Sequence, residues 1–491
     1  MNLCLINHNF RYELEKLVRI FMPFEKIMFC DSEEITDLCA VTELSENGKY
    51  AFARLYIGGE IFNKKLSIDT CSDDMKKEQE LKLALGLYDC FTRATGYFPQ
   101  WGILTGVRPA KLFSRLCKKN GLENTEDYFK NSLKVTDKKI SLCKEAVNGE
   151  NKITSLSRPD SFSLYISVPF CPTRCSYCSF VSHSIDKAEK LIPKYVELLC
   201  KEIEHTGKIA REKNLRLETV YIGGGTPTTL SAQQLETVMK AINNSFDLSG
   251  IREYTVEAGR PDTVTADKLK AIKSGGATRI SINPQTMNDS VLEVIGRKHT
   301  ALETVNAFRL ARSLGFNNIN MDLIAGLPSD TLESFKATVN KVIDLDPESV
   351  TVHSLSMKRS SNMTTGGFLP EIEAGKTASD MVDFAHETLS NAEIAPYYMY
   401  RQSKTVGNLE NVGYSKKGFE CLYNVYIMDE THSILACGAS AVTKLREPNG
   451  DYIERIFNYK YPYEYIDRFD EIISRKEGIK EFYDKFSTLN Q

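Results

Sequence analysis

The sequence has no hydrophobic run of the length that a membrane-spanning helix needs, which is about 20 residues. Its beginning, Met1 to His8, carries neither a basic segment nor a long apolar one, so we expect no secretory signal peptide. Neither sign of charge is in excess, because 62 Lys and Arg residues face 65 Asp and Glu residues, for a formal net charge of −3. These absences argue against a membrane span and give no indication of a nucleic-acid partner.

Internal repeats and low-complexity tracts are also absent, and the hydrophobic content of 42% is that of an ordinary globular protein. A length of 491 residues predicts about three domains. Thirteen cysteines in a chain without an export signal predict a reducing, cytoplasmic location. Ten of them are scattered, as small buried apolar residues usually are.

Three domains are predicted, at residues 1–158, 159–360 and 361–491. The first mixes helical patterns with a β-hairpin signal around Asn47-Gly48, and no catalytic constellation gives it a role. In the last, residues 396–402 and 420–428 are predicted to be strands, and residues 461–486 form an amphipathic helical pattern.

The middle of the chain alternates strand and helix patterns, and Gly or Pro closes nearly every strand. The predicted strands are residues 164–169, 218–223, 252–258, 279–283, 318–325 and 349–355. The predicted helices are residues 187–213, 231–245, 265–274, 288–295, 301–314 and 331–345. Repeating βα units predict a parallel sheet with outer helices, and ligands bind at the carboxyl ends of such strands. Six units suit an incomplete (β/α)6 barrel.

Three cysteines directly follow the first of these strands. Cys171, Cys175 and Cys178 have C-x3-C-x2-C spacing, and thiolates this close together can hold three corners of an iron–sulfur cluster. No fourth cysteine is near, so one iron would lack a protein ligand, and an open coordination position indicates chemistry. Two alternatives stay open, namely a zinc site that His183 completes and a group of buried thiols without metal.

Glycines and acids follow the next strands. The run Gly223-Gly-Gly-Thr-Pro-Thr228 lets a ligand approach the backbone closely and leaves amides free for polar atoms. Glu257 and Asp322 come at the ends of two further strands, where ligands bind. An unpaired acid inside the barrel is costly, so a ligand hydroxyl or ammonium is expected to satisfy Asp322.

In combination these motifs resemble the radical S-adenosylmethionine (SAM) enzymes, and within them the oxygen-independent coproporphyrinogen III oxidases. The matching features are the cysteine spacing, Tyr165 six residues before Cys171, the Gly-Gly-Gly-Thr-Pro run, Arg297 twelve residues after Gln285, and Asp322-Leu-Ile-Ala-Gly-Leu-Pro328. The resemblance implies a mixed α/β fold, namely a partial (β/α)6 radical SAM barrel in residues 159–360. That barrel carries an N-terminal α+β domain and a C-terminal α+β extension that covers the substrate.

The resemblance also implies the cofactors and their contacts. A [4Fe-4S] cluster is held by Cys171, Cys175 and Cys178, its fourth iron is bound by SAM, and the family binds two SAM molecules. Tyr165, Gly224 and Glu257 would contact the SAM on the cluster, with catalytic roles for Tyr165 and Glu257. The residues implied near the second SAM are Tyr177, Gly225, Thr226, Gln285, Arg297 and Asp322.

The implied reaction is the oxidative decarboxylation of two propionates of coproporphyrinogen III, a small-molecule tetrapyrrole, to give protoporphyrinogen IX in haem biosynthesis. A 5′-deoxyadenosyl radical starts it, and flavodoxin or ferredoxin is the kind of electron donor implied. A tetracarboxylate substrate needs cations, and Arg297, Arg401 and Lys404 are the candidates. Arg401 and Lys404 are equally well read as ordinary surface cations.

The chain departs from the family pattern at Ser167, where histidine is common, and at Gln285, which follows Asn-Pro. The first 150 residues or so resemble only the longer, HemZ-type variant of the family. One alternative is a haem chaperone of the same branch, with His432 and Cys437 as candidate haem ligands. The His-Asn-x-x-Tyr-Trp motif of those chaperones is missing, since Trp101 is the only tryptophan. Another radical chemistry on tetrapyrroles is a second alternative.

Overall fold

The computed structural model describes residues 1–32, 35–72, 74–178, 183–184, 188–356, 368–402 and 404–487. The chain divides into two compact units. The first unit comprises Met1–Lys144, Ser354–Asp380 and Tyr400–Asn411. The second unit comprises Glu145–His353, Met381–Met399 and Val412–Gln491. The three domain boundaries drawn from the sequence stay a prediction, because this division does not test which segments fold or act alone.

The first unit contains a five-stranded sheet in the order β2-β1-β3-β4-β5. The elements up to the unit boundary are β1 Asn2–Ile6, α1 Arg11–Phe21, β2 Met28–Cys30, β3 Leu38–Leu44, β4 Tyr50–Ile57, β5 Glu60–Ser67, α2 Met75–Thr95, α3 Pro109–Asn120, α4 Leu122–Asp127, a π-helical turn Tyr128–Ser132 and α5 Asp137–Thr154. The predicted hairpin is confirmed, because β3 and β4 pair antiparallel on either side of Gly48, which adopts a φ of 66°.

The second unit is built on an eleven-stranded sheet in the order β14-β15-β13-β12-β11-β10-β9-β6-β16-β17-β18. Its strands are β6 Ser161–Val168, β9 Arg216–Gly224, β10 Glu253–Gly259, β11 Arg279–Ile282, β12 Ile319–Ala325, β13 Ser349–Ser354, β14 Ala395–Arg401, β15 Glu410–Ser415, β16 Ser433–Cys437, β17 Val442–Arg446 and β18 Ile453–Phe457. A separate two-stranded ribbon is formed by β7 Phe170–Cys171 and β8 His183–Ser184.

The six predicted strands of the middle region are confirmed as β6 and β9 to β13, which stand side by side in chain order. The pairings of β6 with β9, β9 with β10, β10 with β11 and β11 with β12 are all parallel. This is the predicted mixed α/β arrangement of βα units, and it brings the carboxyl ends of neighbouring strands to one edge of the sheet.

The helices of this region are α6 Ile192–Glu212, α7 Ala232–Ser245, α8 Ala266–Ser274, α9 Asp289–Val294, α10 Ala301–Ser313, α11 Leu332–Asp344, α12 Phe368–Asn391, α13 Leu422–Asp429, α14 Pro462–Asp467 and α15 Phe469–Ser487. Local sequence explains several starts. The side chains of Ser231 and Thr300 each accept from the third backbone amide of their helix, completing capping boxes at α7 and α10.

One element differs from the prediction. Residues 420–428 were expected to form a strand, but Leu422–Asp429 is the helix α13. The carboxylate of Glu253, on β10, accepts a hydrogen bond of 2.6 Å from the first amide of this helix, Leu422 N. It also accepts from the Cys421 thiol at 3.3 Å. A buried carboxylate at a helix N-terminus stabilises the otherwise unsatisfied amides and the positive end of the helix dipole.

Among the described residues, none of the helices combines the length and the apolar character that crossing a membrane requires.

Candidate functional site

The cysteine loop begins where β6 ends. Cys171 lies in the short strand β7, Cys171 and Cys175 are both 9% exposed, and Cys178 is half-buried. Within the described residues, no three or more His, Cys, Asp or Glu side chains converge closely enough to hold a metal ion. The backbone of His183, the zinc alternative, pairs with Phe170, and its side chain lies outside the described part of the chain.

The glycine run after β9 is bonded directly to this loop. The amide of Gly225 donates to Val168 O at 2.8 Å, and the amide of Thr226 donates to Phe170 O at 2.8 Å. A Cβ atom on Gly225 would lie 2.5 Å from Phe170 O and 3.0 Å from the Cys171 sulfur, so only glycine fits here. Thr226 Oγ1 also lies 3.5 Å from that sulfur, as a donor.

The expectation that this run keeps its amides free is wrong at two of its residues. The amides of Gly225 and Thr226 are used within the protein. The backbone of Gly224 lies close enough to the Glu257 carboxylate to lower its pKa. An ammonium group needs acceptors, so the carbonyl oxygens of this turn are the groups suited to a methionyl amino group.

Glu257 stands at the end of β10, beside the glycine run. The Tyr221 hydroxyl donates to its Oε1 at 2.5 Å. Removal from water raises the pKa of Glu257 to about 7, and the nearby Asp322 carboxylate adds to this, while the Tyr221 hydrogen bond and Arg279 oppose it. A Cβ on Gly223 would lie 3.0 Å from the Glu257 carboxyl carbon, so the glycine leaves room for this acid.

Three stacked tyrosines surround this acid. The ring centroids of Tyr221 and Tyr423 are 4.4 Å apart, and Tyr165 stacks on Tyr221 at 6.3 Å and on Tyr423 at 6.0 Å. Burial raises the pKa of all three phenols, so they stay protonated. Tyr423 belongs to α13, the segment mispredicted as a strand, and no local pattern in the sequence indicates that it stacks on Tyr165 and Tyr221.

Tyr177 and Arg297, both predicted near the second SAM, are in contact. Arg297 donates to the Tyr177 hydroxyl through Nη2 at 3.1 Å and Nε at 3.3 Å, and to Asn283 O at 3.2 Å. Burial raises the pKa of the Tyr177 phenol. Tyr177 and Arg297 are 120 residues apart in the chain but are neighbours in the fold. Their placement beside a second SAM stays a prediction.

Gln285 and Asp322 also come together. Gln285 has a φ of 67°, unusual for a residue with a side chain, and its amide donates to Asp322 O at 2.9 Å. The Asp322 carboxylate accepts from Asn320 Nδ2 at 2.7 Å, and its other oxygen lies 4.0 Å from His353 Nε2. Asp322 keeps 21% of its side chain exposed, which leaves it accessible to a ligand.

The two candidate haem ligands are engaged elsewhere. Both ring nitrogens of His432 are hydrogen-bonded, Nδ1 to Ser157 Oγ at 2.7 Å and Nε2 to Ser163 Oγ at 2.8 Å. Burial lowers the pKa of His432 to about 3, so it is neutral. Cys437 is fully buried, with its sulfur 3.4 Å from Thr206 Oγ1. Neither side chain presents a free ligand atom.

Two of the three candidate cations for propionates lie in the first unit. Arg401 is 3% exposed and donates to Leu104 O at 2.6 Å and to Asn408 O at 3.0 Å, so it is neither a surface cation nor an open carboxylate partner. Burial lowers its pKa to about 10. Lys404 is exposed.

Two functional candidates were missed besides Tyr221 and Tyr423. Arg260 and Asp262 follow Glu257 directly and form a two-fold ion pair against the cysteine loop. The signal for them was present in the sequence, as a polar run Gly259-Arg-Pro-Asp262 at a strand end, but no residue pattern showed what they touch.

Comparisons with known proteins show what this chain is similar to. The profile of the Radical SAM superfamily matches residues 165–342. The oxygen-independent coproporphyrinogen-III oxidase-like protein HemZ of Bacillus subtilis is 35% identical over 452 residues, 90% of this chain and 90% of that relative. The heme chaperone HemW of the same organism is 41% identical over 197 residues, 39% of this chain and 50% of that relative. The solved structure of coproporphyrinogen III oxidase (HemN) from Escherichia coli is 21% identical with a TM-score of 0.48, covering 65% of this chain and 72% of that chain.

Proposed function

Because this chain belongs to the radical SAM superfamily, in its branch of oxygen-independent coproporphyrinogen III oxidase-like proteins, we propose that it decarboxylates coproporphyrinogen III to protoporphyrinogen IX. Two propionate side chains become vinyl groups, each losing CO2, a hydrogen atom that passes to the 5′-deoxyadenosyl radical, and one further electron that passes to a one-electron acceptor. The observation that supports the radical chemistry is the meeting of the cysteine loop, the glycine run and Glu257 at neighbouring strand ends. The choice of substrate is supported by the relationship to HemZ across most of the chain.

Membership of this family implies a [4Fe-4S] cluster and SAM, and the residues present fit them. Cys171 and Cys175 are shielded from water, as a cluster sensitive to solvent requires. Donors already face both sulfurs, namely Thr226 Oγ1 at Cys171 and Arg260 Nη1 at Cys175. Cys171, Cys175 and Cys178 would hold the three protein-bound irons. When bound, the cluster and SAM together supply the 5′-deoxyadenosyl radical that removes a hydrogen atom from a propionate.

In the proposal, the chain's own residues position SAM and neutralise the charge of a substrate carboxylate. In the proposal, Glu257 accepts from the SAM ammonium or ribose, Gly224 supplies backbone contacts and Tyr165 shields this region with its ring. The residues proposed beside a second SAM are Tyr177, Gly225, Thr226, Gln285, Arg297 and Asp322. Arg297 remains the candidate partner for a substrate carboxylate in the second unit, since a guanidinium matches a carboxylate in shape and charge.

The reaction also needs partners and a reducing location. We assign electron delivery to a flavodoxin or ferredoxin, and we place the protein in the cytoplasm, where free thiols persist.

A product assay tests the proposal. The protein is reconstituted anaerobically with iron and sulfide, then given SAM, a reductant and coproporphyrinogen III, and the tetrapyrroles are read by mass spectrometry. Loss of two carboxyl groups, with methionine and 5′-deoxyadenosine formed, is the expected result. Cys175→Ser should abolish both products, whereas Cys71→Ser, which changes an exposed cysteine outside the loop, should leave them at the wild-type level.

Formation of 5′-deoxyadenosine with unchanged porphyrinogen would keep the radical chemistry and refute the substrate. Another radical reaction on a tetrapyrrole would then be the next hypothesis. Haem binding is a second candidate function, favoured by the 41% identity to HemW over 197 residues. It is tested by adding haem to the same preparation, where a stable Soret band in place of turnover would support the chaperone function.

A further inference from the structure

Arg260 is a buried cation held against the cysteine loop. It follows β10 directly and is 3% exposed. Its Nε and Nη2 donate to the two carboxylate oxygens of Asp262 at 3.0 and 2.8 Å, a fork-to-fork pair that fixes the plane of the guanidinium. Burial works against the charged form of Asp262, but the hydrogen bonds and charge of Arg260 hold its pKa below the usual value.

The remaining guanidinium nitrogen of Arg260 points at the turn between the first two cysteines. Nη1 donates to Thr173 Oγ1 at 2.8 Å and to Thr173 O at 3.2 Å, and it lies 3.9 Å from the Cys175 sulfur. A single nitrogen thus contacts both the middle of the turn and the second cysteine.

A second segment holds the same loop from elsewhere in the unit. Thr173 Oγ1 donates to Gly296 O at 3.3 Å, and the Ser176 amide donates to Ile295 O at 3.1 Å. These bonds fix the loop's position but bring no charge to it. Arg260 brings a positive charge to the Cys175 sulfur at 3.9 Å, and Arg297 also acts on that sulfur through its charge.

We infer that Arg260 is a positioning residue that holds the turn between Cys171 and Cys175 and directs a hydrogen bond at the Cys175 sulfur, which makes the cluster easier to reduce. This rests on the cluster-binding part of the proposed function. Hydrogen bonds to cluster sulfurs and nearby charge are known to set the reduction potential of iron–sulfur clusters. Outer partners of metal ligands also orient those ligands and contribute to metal affinity.

The end of β10 would then have two roles, one toward SAM and one toward the cysteine loop. Glu257 faces the proposed SAM position, and Arg260, three residues later, faces the cysteine loop. Between them Gly259 has a φ of 42°, which turns the chain sharply after the strand. The spacing between the two cofactors would therefore be set by one rigid strand end.

The test compares variants that change the charge of the pair in opposite directions. Reconstituted Arg260→Gln and Asp262→Asn proteins are titrated with dithionite without SAM, and the reduced cluster is followed by EPR. Removing the cation should shift the midpoint potential to more negative values, and removing the anion should shift it to less negative values. Arg468→Gln, which removes an exposed arginine paired with Glu471, should keep the wild-type potential.

Iron content and loop exchange give a second readout. The affinity for iron should fall about tenfold in Arg260→Gln. In the apo-protein, the amides of residues 173–176 should exchange faster with deuterium in Arg260→Gln and in Arg260→Lys, which keeps the charge but loses the fork. If Arg260→Gln does not fold, Arg260→Lys and Asp262→Asn carry the test.

Unchanged potentials at full iron content, or shifts of the same sign in Arg260→Gln and Asp262→Asn, would overturn the inference. A wild-type protein that takes up no cluster would instead refute the proposed function, and the inference with it.

Discussion

Two glutamates inside the second unit differ in how completely the protein satisfies them. Glu202, on α6, is fully buried and lies 3.0 Å from the equally buried Nζ of Lys476. Its carboxylate also accepts three further hydrogen bonds, from Gly438 N at 2.8 Å, Tyr465 Oη at 2.7 Å and Asn458 Nδ2 at 2.7 Å. A buried acid with this many donors is a structural element, because every acceptor position is filled by the chain itself.

Glu257 has fewer partners. Tyr221 donates to it and the Gly224 backbone also lowers its pKa, but burial and the neighbouring Asp322 still raise that pKa to about 7. The charged form of Glu257 is therefore destabilised, because the protein supplies it with too few hydrogen-bond donors. Strongly shifted pKa values of this kind are concentrated at functional sites. The comparison teaches that the number of internal donors, rather than burial alone, separates a structural acid from a candidate ligand-binding acid.

The largest effect should come from breaking the Glu202 pair. Lys476→Met removes the cation and leaves a buried carboxylate without its charge partner, so the free energy of unfolding should fall by about 3–5 kcal/mol. Urea denaturation of the apo-protein measures this. Lys480→Met, which removes a more exposed pair with Glu212, should lower the free energy of unfolding far less, because water already screens that pair. Equal losses in the two variants would contradict a structural role for Glu202.

Glu257→Gln should affect ligand binding rather than stability, the reverse of Lys476→Met. Stability should stay the same or rise, because a neutral amide is less costly to bury than a carboxylate. The dissociation constant of SAM should increase about 10- to 100-fold, since a hydrogen bond to a charged group is worth about 1.5–3 kcal/mol. Isothermal titration of SAM into the reconstituted protein measures the affinity. An unchanged dissociation constant would show that Glu257 does not contact SAM.

The pH dependence of SAM affinity also tests the ligand-binding role proposed for Glu257. Below the pKa of about 7, Glu257 is protonated and neutral, and above it the carboxylate is charged. SAM, which offers a cationic amino group, should therefore bind more tightly as the pH rises through about 7, by up to about tenfold per unit on the acid side. Binding isotherms across this range test it, and Glu257→Gln should be flat. A wild-type affinity independent of pH would refute the assignment.

The smallest expected effect is that of Tyr221→Phe. This change keeps the stack on Tyr423 but removes the hydrogen bond that lowers the pKa of Glu257. The inflection in SAM affinity should therefore move to higher pH, with little change in affinity well above it. The same binding isotherms locate the inflection. A shift to lower pH would mean that another group sets the titration.

Much of the second unit could be predicted from the sequence, because its signals are local. Alternating apolar runs closed by Gly or Pro located all six strands of the βα units to within three residues, and spacing located the cysteine loop. The features that the sequence analysis missed depend on contacts between residues far apart in the chain. The start of α13 is stabilised by Glu253 from a distant strand, and Arg260 reaches Thr173 across a gap of 87 residues. No pattern within a window of neighbouring residues records such contacts.

The pairing of β16 with β6 has a consequence for the order of assembly. Ser433–Cys437 runs parallel to the strand that leads into the cysteine loop, with Cys437 opposite Ile166. During synthesis, about 270 residues separate the appearance of these partners. At about 5–20 residues per second the ribosome needs tens of seconds to supply the second one. Until then β6, the strand that precedes the cysteine loop, has one unpaired edge. Iron delivered to the nascent chain would therefore meet an incompletely folded site. We expect cluster insertion to follow the end of translation.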